Sequence, residues 1–144
     1  MILRSKAFWL TLVFTYLYIS ILNFIGHAFI ISPFIAPGMT AIHADFSKFR
    51  LPFLMVTWLL ITICTVYFTV RDIPKEDKLK HAIITGILVS VLADGTWVFT
   101  NTAFVPAIQS IQFILAELTW HTIHGAGGGY LALKSYEWAA KKWK

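Results

Sequence analysis

"AELTWHTIHGAGGGY", residues 116–130, places a glutamate, two histidines and four glycines inside a run that otherwise has the character of a membrane-spanning helix. An α-helix turns about 100° per residue, so positions i, i+4 and i+7 share one face. Glu117, His121 and His124 have this spacing. Because an ionisable face in a membrane must avoid lipid, the stretch predicts a bundle of helices around a polar interior.

The composition assigns the chain to the integral membrane class. Its 144 residues are 58% hydrophobic and only 13% charged, and the mean hydropathy is +0.70. Soluble domains carry about 25% charged residues, so this balance excludes an ordinary soluble domain. The net charge of +5 lies at the borders of apolar runs and in the tail, where it favours the lipid bilayer as a partner and no nucleic acid.

Four apolar stretches are each close to the roughly 20 residues that cross about 30 Å of hydrocarbon. They cover residues 8–31, 51–70, 81–104 and 107–133. Inside lipid the backbone must satisfy its own hydrogen bonds, so such spans are helices. We therefore predict an all-α bundle of four transmembrane helices in a single transmembrane domain over residues 1–144, with an amphipathic cytoplasmic tail at 134–144.

The distribution of lysine and arginine predicts the orientation. Ten of the twelve basic residues lie before the first helix, between the second and third helices, or after the fourth, and only Lys48 and Arg50 lie on the opposite side. Cytoplasmic loops carry the excess of Lys and Arg. We expect a multi-pass protein of a bacterial-type inner membrane with both termini in the cytoplasm.

Two other helices repeat the polar spacing of the fourth. On the third, one predicted face carries Ser90, Asp94, Trp97 and Asn101. On the first, one predicted face carries Tyr16, Ser20, Asn23 and His27. The second helix has threonines and Cys64 but no ionisable group, so helices 1, 3 and 4 are predicted to enclose the polar interior with helix 2 outside it.

A charged side chain at the bilayer centre costs roughly 2.5–3.5 kcal/mol, so Asp94 and Glu117 are expected to face neighbouring helices. The candidate ligand or ion path comprises Asp94, Asn101, Glu117, His121, His124, Asn23, His27, Trp97 and Trp120. No catalytic motif accompanies these residues, and we assign no catalytic residue. A chain with one polar seam is too small to enclose a wide pore, so we expect a homo-oligomer or a membrane-protein partner.

Three interpretations of the polar interior remain open. It is a hydrogen-bonded packing network, or a site for transport or sensing of a proton, an ion or a small polar ligand. Alternatively, Glu117, His121 and His124, with Asp94 opposite them on the third helix, bind a transition metal such as zinc, iron or copper. Haem is less favoured, because His27 and His121 are expected at different depths. We favour transport or sensing, with a structural subunit of a larger membrane complex as the alternative.

Three short motifs resemble a family of small four-helix bacterial inner-membrane proteins of unknown function. These are "TNTA" at 100–103, "ELTWHT" at 117–122 and, in the first helix, "LNFIG" at 22–26. The chain differs from the family pattern at Asn23, where an acid is expected, and at His121, which replaces a glycine. The resemblance implies a four-helix topology and a functional interest in Asn101, Glu117 and Trp120.

Overall fold

The fold is built from four α-helices, which a computed structural model describes over residues 2–26, 29, 50–104 and 111–143. A short 3₁₀ helix at Ile2–Arg4 precedes them. The helices are α1 (Lys6–Ile25), α2 (Arg50–Arg71), α3 (Lys78–Phe104) and α4 (Ile111–Lys142). The described part of the chain contains no strand, so the predicted all-α class is confirmed.

Local chemistry fixes the helix ends near the α2–α3 connection and at the start of α1. The Ser5 hydroxyl accepts a hydrogen bond from the Phe8 N–H at 3.1 Å and so caps α1. At the end of α2, the Arg71 Nε donates to the Asp72 carboxylate at 2.9 Å, and this bond holds the pKa of that carboxyl below its ordinary value. Asp77 adopts a positive φ of 54°, a conformation that Asp tolerates, and α3 starts at the next residue.

Helix α4 is the central element, because it packs against each of the other three helices and most extensively against α3. Its buried positions recur every three or four residues from Phe113 to Ala139, which is the spacing of one continuous face. Helix α4 also continues through the basic segment after residue 133, so the tail prolongs the helix. The side chains of one long helical face are thereby held against all of its neighbours.

The bundle is apolar outside and polar inside. Its large exposed hydrophobic residues include Val13, Leu17, Ile21, Leu60, Leu88, Leu92, Leu115 and Ile123. Its buried polar residues include Thr11, Thr15, Asn23, Thr62, Thr65, Ser90, Asp94, Glu117, His121 and His124. Exposed apolar surface of this extent is typical of contact with lipid. Of the helices in the described ranges, Lys6–Ile25 and Lys78–Thr96 are long and apolar enough to cross a membrane.

The predicted arrangement of the helices is confirmed only in part. Cys64 on α2 is exposed, as expected for the outer side of that helix. However, α2 contacts every other helix and buries Thr62, Thr65 and Thr69, so it lines part of the interior. Helix 2 was predicted outside the interior because it has no ionisable group, but its buried face carries hydroxyl groups instead.

The predicted polar face of α1 is also displaced. Thr11, Thr15 and Asn23 are fully buried, whereas Tyr16 and Ser20 are partly exposed. Spacing alone did not show which of two adjacent faces turns inward. The buried face of α1 is centred about one residue away from the predicted one.

Glycines bring α3 and α4 into backbone contact. A Cβ atom added at Gly86 would lie 2.1 Å from the Gly125 carbonyl oxygen, and one added at Gly129 would lie 1.9 Å from the Ala82 carbonyl oxygen. Both distances are far below van der Waals contact, so only glycine permits this approach. Small residues in transmembrane bundles serve this purpose by letting backbones approach closely.

We expect Gly86→Ala to destabilise the bundle by about 1–3 kcal/mol, the typical cost of overpacking a well-packed interior. The added methyl group meets the backbone of α4, which cannot move aside as a flexible side chain does. The unfolding free energy in mixed micelles measures the effect.

The matched control is Gly95→Ala on the same helix. A Cβ atom there would lie 3.5 Å from the Leu118 side chain, an ordinary contact. We expect this variant to be as stable as the parent or slightly more stable, because alanine is the better helix former. Equal stability of the two variants would contradict the close α3–α4 contact.

Candidate functional site

The buried ionisable residues meet at the interface between α3 and α4, one helical turn beyond the glycine contact. Ser90 and Asp94 come from α3, and Glu117, His121 and His124 come from α4. We call these five residues the Asp94 cluster. Each of them is at most 9% exposed, so the cluster is closed off from solvent by the bundle itself.

The His121 imidazole lies between two carboxylates. Its Nδ1 atom is 3.0 Å from Asp94 Oδ2, and its Nε2 atom is 3.0 Å from Glu117 Oε2. The first contact joins α4 to α3, and the second is an i, i+4 contact within α4. The two carboxylates therefore act on opposite edges of one ring.

The His124 ring brings a second nitrogen to the Asp94 side of His121. His124 Nε2 lies 2.7 Å from His121 Nδ1, 3.2 Å from Ser90 Oγ and 3.8 Å from Asp94 Oδ2. The Ser90 hydroxyl donates to Asp94 Oδ2 at 3.3 Å. Two imidazole nitrogens and one carboxylate oxygen consequently converge on a single small volume.

This convergence has an electrostatic consequence. Each of the three converging atoms can carry an electron pair, and such pairs repel one another unless a positive charge or a shared hydrogen lies between them. The repulsion is stronger in the interior of a bundle than in water, because the effective dielectric constant is lower there. The three atoms of the Asp94 cluster therefore need either a shared hydrogen or a positive charge between them.

Trp120 flanks the cluster on the side of α1. Its ring centroid lies 6.2 Å from that of His124, and its indole packs on Gly26, where an added Cβ atom would lie 2.1 Å away. Asn23 is fully buried on α1, but within the described residues it makes no hydrogen bond to the cluster. Trp120 thus covers His124, while Asn23 is not brought into the centre.

Three of the predicted site residues lie wholly or in part outside the described structure. His27 lies outside the described residues. Trp97 and Asn101 belong to α3, but their side chains lie outside the described part of the structure. Their predicted participation stays a prediction.

The grouping of donor atoms differs from the predicted metal set. Glu117, His121 and His124 were expected to bind one metal ion together. However, Glu117 contacts Nε2 of His121, whereas His124 contacts Nδ1 on the other side of the ring. Asp94 is the carboxylate that lies with the two histidines, and the three residues each place one atom within 4.8 Å of the others. Ser90 was predicted on the polar face of α3 with Asp94 but not among the site residues, and its hydroxyl donates a hydrogen bond to Asp94 at i, i+4 spacing.

The chain belongs to the family described as "Predicted membrane protein (DUF2177)", whose match covers residues 7–133. The resemblance to a family of membrane proteins of unknown function is thereby confirmed. Comparison with curated proteins and with solved structures found no match. The Asp94 cluster lies within the matched span, in a protein of the membrane.

Breaking the contact between His121 and Glu117 tests how strongly the cluster contributes to stability. Removal of one partner from a buried ion pair typically costs about 3–5 kcal/mol, because the other partner stays buried without compensation. We expect Glu117→Leu to lower the unfolding free energy in mixed micelles by this amount.

The control uses the exposed pair of Lys134 and Glu137 on the same helix, whose charged atoms are 3.5 Å apart. Exposed pairs contribute about 0–1 kcal/mol, so Glu137→Leu should leave stability almost unchanged. If the two variants lose the same stability, the Glu117 contact is no stronger than a surface pair.

Proposed function

We propose that this member of the DUF2177 family binds a small cation at the Asp94 cluster, and that the binding serves transport or sensing of that cation. The observation that carries the proposal is the position of His121 between two buried carboxylates, with His124 adding a further nitrogen on the Asp94 side. Ionisable residues inside membranes are costly and usually mark pathways or binding sites for ions.

The charge balance supports a bound cation over a purely structural network. The cluster buries two carboxyl groups, and burial of an ionised carboxylate is expensive unless a positive charge compensates it. Packing between membrane helices does not need such groups, because small residues and hydroxyls achieve it at lower cost. The bundle already has both, in the Gly86 contact and in the buried threonines of α1 and α2.

The geometry also supplies a way for the cation to affect the helices. The cluster draws Asp94 from α3 and both histidines from α4, so a cation held there ties the two helices together. A ligand shifts a conformational equilibrium by as much as it prefers one arrangement over the other. A cation that requires donors from both helices stabilises the closed α3–α4 arrangement, which is the change that a sensor or a transporter needs.

The membrane arrangement that we propose has four crossing helices, with both termini on the cytoplasmic side. The helices contain 20, 22, 27 and 32 residues. At about 1.5 Å per residue, each is long enough for about 30 Å of hydrocarbon. Helix α4 is less apolar than the others because it carries Glu117, the two histidines, the glycines and a basic end, and it buries Glu117 and both histidines.

We expect a cation that binds the cluster to raise the melting temperature of the purified protein. At a concentration one hundred times the dissociation constant, mass action adds about 2.7 kcal/mol of stability. The experiment compares monovalent and divalent cations at one pH and ionic strength. Asp94→Asn, which keeps size and removes charge, should abolish the response.

Glu76→Gln is the control, because Glu76 is exposed in the α2–α3 connection, far from the cluster in sequence. It should respond to the same cation as the parent does. The proposal fails if no cation raises the melting temperature, or if Asp94→Asn responds as the parent does. Flux or conformational change in liposomes then distinguishes transport from sensing.

The proposed orientation predicts which side of the membrane each connection faces. In a Cys64→Ser background, a cysteine at position 45 should react with an impermeant reagent added outside intact cells. A cysteine at position 76 should react only after the cells are opened. The reverse pattern would show that the termini lie outside.

A further inference from the structure

The donor atoms of the Asp94 cluster also indicate the class of cation. We propose that the cluster binds one divalent transition-metal ion of the Zn²⁺ or Fe²⁺ type, through Asp94 Oδ2, His121 Nδ1 and His124 Nε2. This inference rests on the proposed function, because it names the ion that the same cluster holds. Two imidazole nitrogens and one carboxylate oxygen form a donor set that such ions prefer.

The spacing of the three donor atoms fits one ion. Their separations are 2.7 Å, 3.0 Å and 3.8 Å. A circle through three atoms at these distances has a radius of about 1.9 Å, whereas zinc binds nitrogen at about 2.0–2.1 Å and carboxylate oxygen at about 2.0–2.2 Å. An ion slightly out of the plane of the three atoms therefore lies at bonding distance from each of them.

With three protein donors, a four-coordinate metal ion has one coordination position left for another ligand. Three protein ligands with an open position are the arrangement of metal sites that bind water or another exchangeable ligand, whereas closed structural zinc sites use four protein ligands. Two histidines and one carboxylate on one face also suit ferrous iron.

Donor type argues against other common cations. Mg²⁺ and Ca²⁺ prefer oxygen ligands, and two of the three donors here are nitrogens. Cu⁺ prefers sulfur ligands, and Cys64 is exposed on another helix.

Glu117 has a separate role in this arrangement. If His121 binds the ion through Nδ1, its Nε2 carries a hydrogen that points at Glu117 Oε2, 3.0 Å away. Metal-binding histidines usually donate their other N–H to a carboxylate, which fixes the tautomer and orients the ring. Glu117 is therefore a positioning residue for His121 and does not bind the metal. The Ser90 hydroxyl orients Asp94 in the same way, at 3.3 Å.

The test titrates chelator-stripped, purified full-length protein with Zn²⁺ and Co²⁺, followed by calorimetry and by the visible absorption of bound Co²⁺. We expect one ion per chain, with Mg²⁺ and Ca²⁺ unable to displace it. In the parent protein, ¹⁵N NMR of the imidazoles should show Zn²⁺ on Nδ1 of His121 and on Nε2 of His124. This readout needs no variant, so it stands even if a variant fails to fold.

The variants separate ligands from the positioning residue. Asp94→Asn and His124→Gln should each lose binding by more than about a hundredfold, because two remaining donors are too few. Glu117→Gln should keep one Co²⁺ per chain with an unchanged type of absorption spectrum, and with affinity about 10- to 100-fold lower. Glu76→Gln is the control and should bind as the parent does.

Three results would overturn the inference. If Glu117→Gln abolishes binding while Asp94→Asn keeps it, then Glu117 is the carboxylate ligand and the assignment above is wrong. If Zn²⁺ and Co²⁺ do not bind while a monovalent or alkaline-earth cation raises the melting temperature, the transition-metal assignment fails and the proposed cation site stands. If no cation binds, both proposals fail.

Discussion

The backbone contact between α3 and α4 is the constraint on which the rest of the structure depends. Gly86 and Gly125 lie so close that a methyl group on either would meet the opposite helix, its backbone or the base of the Ser90 side chain. One turn farther along, Ser90 and Asp94 reach the two histidines over distances of 3.0–3.8 Å. If the helices stood a few ångströms farther apart, the short side chain of Asp94 would no longer reach His121. The glycines therefore set the dimensions of the polar centre.

The four helices contribute different kinds of buried side chain. Helix α4 carries most of the chemistry on one long buried face, and α3 adds the carboxylate that completes it. Helices α1 and α2 bury threonines and apolar side chains against α4, for example in the cluster of Phe8, Leu12, Val66, Val70 and Ala132. Among the buried threonines, Thr62 donates its hydroxyl hydrogen to the Trp58 carbonyl oxygen at 2.7 Å, whereas carboxylates in a membrane need a charged partner. Within the described residues, the buried carboxylates therefore lie at one interface, between α3 and α4.

Much of the fold followed from the sequence, because hydropathy and the length of apolar runs are direct consequences of the bilayer as a solvent. The i, i+4, i+7 spacing also identified Glu117, His121 and His124 as one face. Spacing along a single helix, however, carries no information about which edge of a ring meets a neighbouring helix. That is why Glu117 was grouped with the two histidines, whereas the structure places Asp94 there. For the same reason the predicted inward face of α1 differs from the observed one, since the rotation of a helix about its axis is set by the helices that pack against it.

A static hydrogen-bond network and an ion site differ in the net charge that they place in the membrane interior. A network without a metal is closed if His121 is doubly protonated, donates its Nε2–H to Glu117 and shares its Nδ1–H between Asp94 Oδ2 and His124 Nε2, while Ser90 donates to Asp94. With both carboxyl groups ionised, that network has one negative charge in excess. A divalent ion on the three converging atoms removes the excess and keeps the Glu117 contact through the remaining ring hydrogen. The proposed metal-bound state and the metal-free network therefore differ in their net charge, and net charge is costly in a membrane interior.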